Sequence, residues 1–310
     1  MDGSSSLALW RDARGRLSWL RIATLALLVW PIALAVVAWQ TEIRFSARPI
    51  NDLIHRAGFW MLIFVLLSLS VTPLRRVARY AQLTDVRRLI GVGAFCYGFA
   101  HISLYVLDQA FDLGTVVSEI VARVYLTIGF TALLGLAALA ATSTDGMVRE
   151  LGGLRWRRLH QLIYPIGVLG LIHFFQQTKL DVSVPTVVAG LFTWLMGYRL
   201  IASRWKGPRE IPTWMLLALS LAAAALTFAG EAIGIAIGYS VSPLAVLQTA
   251  FDFDWNSLDM VRPGWYVLLA GLCVVALNLA CARLRQRKPR QRAPAMAPAN
   301  PGAEKVRQTV

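Results

Sequence analysis

Residues 88–107 read RLIGVGAFCYGFAHISLYVL, and this stretch decides the fold of the chain. After Arg88 it contains no formally charged side chain. Its length matches the ~20 apolar residues with which one helix crosses the ~30 Å hydrocarbon core of a bilayer. One imidazole, that of His101, interrupts the apolar run. The stretch therefore predicts a membrane-spanning helix that carries a histidine within the lipid.

Seven further segments have the same character, so the whole chain is predicted to be an all-α membrane protein. Only 15% of its 310 residues are charged and 57% are hydrophobic, which is unlike the composition of soluble domains. The first segment is interpreted as a signal anchor, because it has the length of a full span and further spans follow it. We predict a polytopic bundle of about eight transmembrane helices near residues 21–39, 57–74, 88–107, 120–141, 158–176, 183–201, 212–232 and 263–282.

The basic residues behind the net charge of +14 are concentrated in the loops on one side of the predicted bundle. The N-terminus and alternate connections from it carry 25 of the 31 Lys and Arg residues, and the opposite side carries six. Basic residues concentrate on the cytoplasmic side of membrane proteins, so both termini are predicted to be cytoplasmic in a multi-pass protein of a bacterial inner (plasma) membrane. The basic excess then has anionic lipid as its natural partner, and a nucleic-acid partner is not expected.

Three of the four histidines lie in or at the edge of predicted spans, and such residues are functional candidates by default. His101 lies 13 residues from the cytoplasmic end of its span, and His173 follows His160 by 13 residues in a span of the same direction. Helix rise places His101 and His173 at one depth, ~20 Å from that side. Two imidazoles on facing helices are typical axial ligands of haem iron. His160 has no partner at its own depth, where the third span offers Arg87 and Arg88.

Small residues share the His101 face of the predicted helix. Gly91, Ala94 and Gly98 would leave room there for a flat macrocycle. The alternative for the stripe is that its small residues let two membrane helices pack closely. The alternative for a lone intramembrane histidine is a hydrogen bond to a neighbouring helix. In the fifth predicted span, Pro165 is expected to kink or retwist the helix.

Arginine and lysine side chains near these histidines are candidates for binding anionic cofactor groups. On the outer side, Arg56, Arg123 or Lys179 could pair with haem propionates. On the inner side, the cluster that contains Arg157 and Arg158 could bind a quinone headgroup or a flavin phosphate. The alternative is that they only snorkel at helix ends or orient the helices.

Eight short stretches then occur in the order of a known family: HRAGFW (55–60), SVTPLR (70–75), RRLIG (87–91), HISLY (101–105), YLTIG (125–129), TSTDG (142–146), RWRRLH (155–160) and HFF (173–175). Together they resemble the MsrQ (YedZ) family, the haem-binding membrane subunits of periplasmic methionine-sulfoxide reductases. That family belongs with the ferric reductase-like transmembrane proteins.

The resemblance implies haem b held by the residues that match the family's ligands, His101, His160 and His173. It makes His160 a candidate ligand of a second, inner haem, and it implies FMN as a further cofactor. It also implies that electrons come from the quinone pool or a cytosolic flavin reductase. They would leave to a periplasmic molybdopterin-containing subunit that repairs methionine sulfoxide in proteins. The chain itself would be a non-catalytic electron-transfer subunit.

On this basis the chain divides into five parts: a cytoplasmic N-terminus (1–20), a first transmembrane helix with its outer loop (21–49), a ferric reductase-like haem-binding core (50–205), two additional helices with an outer loop (206–282) and a disordered basic cytoplasmic tail (283–310). The two additional helices lie outside the resemblance. Their loop, residues 248–265, is acidic and aromatic, which predicts either contact with the outer redox partner or an amphipathic stretch in the headgroup layer.

Two other functions compete with this one. A ferric reductase or oxidase would carry its own dehydrogenase domain, but no glycine-rich phosphate loop follows a predicted strand. A transporter would use the histidines to relay protons or bind substrate, but the spans lack paired acidic residues and a clear internal repeat. The sequence therefore favours the electron-transfer subunit.

Overall fold

The computed structural model describes residues 9–11, 15–41, 47–178, 181–207, 211–251 and 261–287. In this part of the chain one isolated β-bridge, Arg11 with Leu17, is the only strand-like pairing, and the predicted all-α polytopic class is confirmed. The helices are α1 (Trp19–Thr41), α2 (Pro49–Ala78), α3 (Leu83–Asp108), α4 (Leu113–Ala122), α5 (Val124–Ala141), α6 (Asp145–Leu151), α7 (Gly153–His160), α8 (Ile163–Gln177), α9 (Ser183–Arg204), α10 (Thr213–Tyr239), α11 (Pro243–Gln248) and α12 (Pro263–Arg287).

Seven of the described helices are long and apolar enough to cross a membrane, namely α1, α2, α3, α5, α9, α10 and α12. The fifth of the eight expected spans, residues 158–176, is instead divided between α7 and α8, and α8 has only 15 residues. Pro165 gives the physical reason. It has no N–H for the carbonyl of Gln161, and its ring crowds that carbonyl, so the helix is interrupted at Gln161 and Leu162.

Successive long helices alternate in direction and pack side by side. Helix α2 packs along α3, α5 along α8, and α10 against both α9 and α12. Much of the outer surface is apolar, as on α1, where Trp30, Val36 and Trp39 are exposed. Such a surface is suited to lipid. One end of the bundle, which we call the histidine end, gathers the starts of α2 and α5 and the ends of α3 and α8; the opposite end is the arginine end.

An arginine of α9 replaces the backbone hydrogen bond that a proline removes from α2. Pro73 leaves the carbonyl of Leu69 without its usual helical donor. Nη2 of Arg199 donates to that carbonyl at 2.6 Å, and its Nη1 donates to the carbonyl of Leu195 at 3.0 Å. The Arg199 guanidinium also lies 5.5 Å from the ring centre of Tyr164. Since Leu69 is only 1% exposed, the arginine satisfies a carbonyl that water does not reach and ties α2 to α9.

An ion pair with a buried carboxylate joins α10 to Arg262, the residue before α12, at the histidine end. Glu231 in α10 is 5% exposed and accepts a hydrogen bond from Nη1 of Arg262 at 3.1 Å. Nη2 of Arg262 donates to the hydroxyl of Thr249 at 2.6 Å. The central part of the predicted acidic and aromatic loop, residues 252–260, lies outside the described residues, as does most of the predicted tail.

Candidate functional site

His101 and His173 meet at the histidine end of the bundle, near the ends of α3 and α8. Their ring centres are 6.3 Å apart and their planes are inclined by 87°. The two helices run in the same direction, and each histidine lies in its last two turns. The juxtaposition predicted from helix rise is therefore confirmed, and iron ligation by the pair stays a prediction.

A backbone carbonyl of a neighbouring helix fixes each imidazole. Nδ1 of His101 lies 2.8 Å from the carbonyl oxygen of Ile54 in α2, and Nδ1 of His173 lies 2.7 Å from that of Tyr125 in α5. A carbonyl can only accept, so each Nδ1 carries the proton and donates it. Each Nε2 therefore keeps its lone pair, which is the arrangement of a histidine prepared to bind a metal.

A glycine four residues beyond each carbonyl lets the ring approach the helix. A Cβ at Gly58 would lie 3.1 Å from Nδ1 of His101, and a Cβ at Gly129 would lie 2.6 Å from Nδ1 of His173. Both rings thus rest on a neighbouring helix through the same device, a carbonyl followed one turn later by a glycine. Sequence reasoning missed this role, although both glycines lie in the stretches HRAGFW and YLTIG.

The separation of the two rings suits one metal ion between them. With a metal–nitrogen bond of ~2 Å and roughly 1.1 Å from a ring centre to its Nε2, two imidazoles that face each other across one metal would have centres ~6.2 Å apart. The observed value is 6.3 Å. Over the described residues, no group of three or more His, Cys, Asp or Glu side chains is placed to hold a metal ion. Two imidazoles without further protein ligands fit an iron whose other ligands belong to a porphyrin.

Two of the predicted outer basic residues flank this pair. Arg56 lies in α2 two residues after Ile54 and lines an apolar groove of about 460 Å³ between α1, α2 and α3. Arg123 immediately precedes α5, and its Nη1 lies 3.2 Å from the hydroxyl of Tyr125, the residue whose carbonyl holds His173. Lys179 lies outside the described residues. Arg56 and Arg123 are therefore on the helix starts that position the two imidazoles.

His160 is not part of the pair, and both of its ring nitrogens have protein partners. Nδ1 lies 3.1 Å from the carbonyl oxygen of Trp156, and Nε2 lies 3.2 Å from the hydroxyl of Ser143. The ring stacks on Trp156 with centres 3.9 Å apart. His160 ends α7 at the arginine end, together with Arg157 and Arg158, which are exposed. Iron ligation by His160 stays a prediction.

One of the two arginines that the sequence placed at the depth of His160, Arg88, binds a carboxylate instead. Nη1 of Arg88 donates to a carboxylate oxygen of Asp145, the first residue of α6, at 2.5 Å. This hydrogen bond and the positive charge of Arg88 lower the pKa of the Asp145 carboxyl. The contact joins the start of α3 to the connection between α5 and α7.

The stripe of small residues on α3 serves helix packing. A Cβ at Gly98 would lie 2.7 Å from Sδ of Met61 and 2.8 Å from Cδ1 of Leu133, which belong to α2 and α5. Ala94 is fully buried in the core. At Gly98 and Ala94 the stripe packs against the adjoining helices, whereas a Cβ at Gly91 would meet only Oγ of Ser68 at 3.7 Å, and room for a macrocycle along the stripe stays a prediction.

The chain is similar in sequence to proteins of a known family. The ferric reductase like transmembrane component family matches residues 54–171. The haem-binding subunit MsrQ of protein-methionine-sulfoxide reductase from Rhodospirillum rubrum is 42% identical over 192 residues, which are 62% of this chain and 89% of that protein. The MsrQ subunit from Xanthomonas oryzae pv. oryzae is 39% identical over 62% of this chain and 88% of its own, and that from Ralstonia nicotianae is 37% identical over 61% and 88%. No solved structure matches. The chain therefore belongs to the MsrQ family, the haem-binding membrane subunits of protein-methionine-sulfoxide reductases.

Proposed function

We propose that the chain carries electrons through a haem b, held by His101 and His173, to a periplasmic methionine-sulfoxide reductase subunit. The observation that carries the proposal is the pair of imidazoles 6.3 Å apart, each with Nδ1 bonded to a backbone carbonyl. Haem supplies one-electron chemistry when bound. The chain would supply ligation, position and a low-dielectric path.

The residues around the pair would hold its geometry during electron transfer. The carbonyls of Ile54 and Tyr125 keep the proton on Nδ1, which leaves Nε2 basic and sets the orientation of each ring. Gly58 and Gly129 let the rings reach those carbonyls. Arg56 would pair with an anionic propionate, and Arg123 would do so by exchanging its ion pair with Glu119 for one with a propionate.

The direction of transfer follows from the charge distribution of the sequence. The excess of Lys and Arg at the arginine end would place that end in the cytoplasm of a bacterial inner membrane and the histidine end toward the periplasm. Electrons would then enter from the quinone pool or a cytosolic flavin reductase and leave to a molybdopterin-containing catalytic subunit. The names of the relatives, subunits of a methionine-sulfoxide reductase, support that partner.

We further propose an inner cofactor site near His160. Arg157 and Arg158 adjoin it, and an anionic group of a second haem, of FMN or of a quinone would find positive charge there. Binding of iron would require Nε2 of His160 to leave the hydroxyl of Ser143. Haem per protein, measured in the wild type and in His160→Ala, distinguishes one haem from two.

Spectra of the purified full chain test the main proposal. A haem-replete preparation is expected to show a Soret shift and an α band of the b type on reduction with dithionite. His101→Ala and His173→Ala are expected to lose that chromophore. His55→Ala is the matched control, because His55 is exposed and its Nδ1 bonds only within α2, to Asn51. A wild type without these bands, or His101→Ala and His173→Ala variants that keep the full chromophore, would refute the proposal.

A ferric reductase or oxidase with a different redox partner is the second candidate, because the matching family model describes ferric reductase-like components. This function requires the chain to accept electrons from NADPH without help. Oxidation of NADPH by the isolated chain, with no added reductase, would favour it. Dependence on an added quinol or flavin reductase would favour the main proposal.

A further inference from the structure

A second cavity lies at the arginine end, away from the histidine pair. It has a volume of about 690 Å³ and is bounded by the last turn of α2, the end of α9, the start of α10 and Asn278 of α12. Arg75, Arg76 and Arg79 line it together with the buried Tyr198. The cofactor site proposed above uses none of these residues.

The cavity concentrates positive charge. No Asp or Glu belongs to its lining within the described chain. Nη1 of Arg75 donates to the hydroxyl of Thr84 at 3.3 Å, and Arg76 reaches the hydroxyl of Tyr198, so both of these known partners are neutral. Arg199, on the helix that carries Tyr198, adds charge nearby. Like charges gathered in one concave site raise the local potential and attract an anion.

The chemistry of the walls indicates which anion. The guanidinium group of an arginine can donate two parallel hydrogen bonds to two oxygens of one phosphate. Opposite the arginines the wall is apolar and includes Trp205, Ile211 and Leu216. The cavity lies where membrane-spanning helices begin and end, and tryptophan is typical of that interface. An anion that carries both a phosphate and a hydrocarbon chain can contact the arginines and the apolar wall together, whereas a free phosphate can contact only the arginines.

We propose that this cavity binds the phosphate of an anionic phospholipid, with the headgroup on Arg75 and Arg76 and the acyl chains along the apolar wall. Basic pockets between membrane helices are known to bind such headgroups. Three of the bounding helices, α9, α10 and α12, lie outside the region that matches the ferric reductase-like family, and α10 and α12 also lie outside the core predicted from the sequence. The bound lipid would therefore connect the haem-binding core to the additional helices.

Lipid binding to the full chain tests the proposal. The chain is placed in phosphatidylcholine nanodiscs that contain a graded fraction of phosphatidylglycerol, and bound phosphatidylglycerol is counted by native mass spectrometry. Each arginine near a charged lipid is worth roughly fivefold in affinity, so R75Q/R76Q is expected to bind about 25-fold more weakly. R149Q/R204Q is the matched control, because it also removes two positive charges, from exposed positions outside the cavity. Its binding is expected to stay within about twofold of the wild type.

Three further measurements keep the outcome decisive. Folding of R75Q/R76Q is checked by size exclusion and circular dichroism. If it does not fold, lipid binding is measured instead for R75K/R76K and for the wild type at rising salt. Binding by R75K/R76K that is weaker than that of the wild type but stronger than that of a chain without the two charges, and release from the wild type as salt screens the charges, support the site, because lysine keeps the charge but not the paired contacts. Equal binding by R75Q/R76Q and R149Q/R204Q overturns it. Release of the lipid by millimolar inorganic phosphate overturns the lipid assignment and identifies a site for soluble phosphate.

Discussion

Replacing Gly129 by alanine should displace one proposed haem ligand without removing it. The new Cβ would lie 2.6 Å from Nδ1, 2.7 Å from Cε1 and 2.9 Å from Cγ of His173, whereas ordinary contacts begin at 3.4 Å. The ring must therefore withdraw by about 0.8 Å. Its 2.7 Å hydrogen bond to Tyr125 would then lengthen to about 3.5 Å, beyond a useful hydrogen bond. Overpacking costs about 1–3 kcal/mol and the lost hydrogen bond about 1 kcal/mol.

These costs add to about 2–4 kcal/mol and fall on haem binding, because only the bound state holds the ring in place. The lower end, about 2 kcal/mol, corresponds to roughly 30-fold in affinity. The assay is a haem titration of the purified chain, followed in the Soret band, with the spectrum of the saturated form as a record of axial ligation. Gly58→Ala is expected to weaken binding less, because its Cβ would lie 3.1 Å from His101 Nδ1 and a shift of about 0.3 Å relieves the contact.

Gly234→Ala in α10 is the matched control, since a Cβ there meets no atom within 4 Å. It is expected to leave haem affinity unchanged. The reasoning fails if Gly129→Ala binds haem as tightly as Gly234→Ala. It also fails if Gly58→Ala is the more damaging of the two variants at the histidine pair.

Three further predictions concern stability. Arg199→Leu is expected to lower the free energy of unfolding by about 2 kcal/mol, measured by thermal unfolding. Adding Pro73→Ala to that variant is expected to restore part of the loss, because alanine at this position supplies a backbone N–H for the carbonyl of Leu69. If stability is not restored, Arg199 does not compensate for Pro73. Glu231→Gln is expected to cost about 2 kcal/mol in the same assay, because it leaves Arg262 largely buried without its carboxylate, and an unchanged midpoint would refute this. The pKa of Asp145 is lowered by its bond to an arginine of α3, so that ion pair is complete above the ordinary carboxyl pKa and is lost as pH falls through the lowered value. Hydrogen exchange over Asp145–Leu151, corrected for its intrinsic rate, should accelerate on acidification in the wild type but not in Asp145→Asn.

The helical class and the pairing of His101 with His173 could be predicted because they depend on quantities that act along one helix. Hydropathy over about 20 residues identifies a span, and a rise of ~1.5 Å per residue fixes depth within it. His160 precedes His173 by 13 residues in the sequence, so it was predicted to lie ~20 Å from the depth of the pair. The structure also places His160 apart from the pair.

The features that were missed depend on how helices are rotated against each other. A glycine in a span is compatible with a cofactor, a crossing helix or a side chain, and only the packed structure shows which one lies against it. Gly98 receives Met61 and Leu133, whereas Gly58 and Gly129 receive imidazoles. The sequence predicted a kink at Pro165 but not that α8 would begin only at Ile163, because the extent of the break depends on whether a neighbouring group supports the broken turn.

The backbone bonds of the two histidines also divide the site between two pairs of helices. His101 of α3 takes its orientation from α2, and His173 of α8 takes its orientation from α5, so each imidazole is prepared within its own pair of helices. A chain emerging from the ribosome would complete the first pair well before the second is available. An iron bound to both rings would then be the link that joins the first pair of helices to the second.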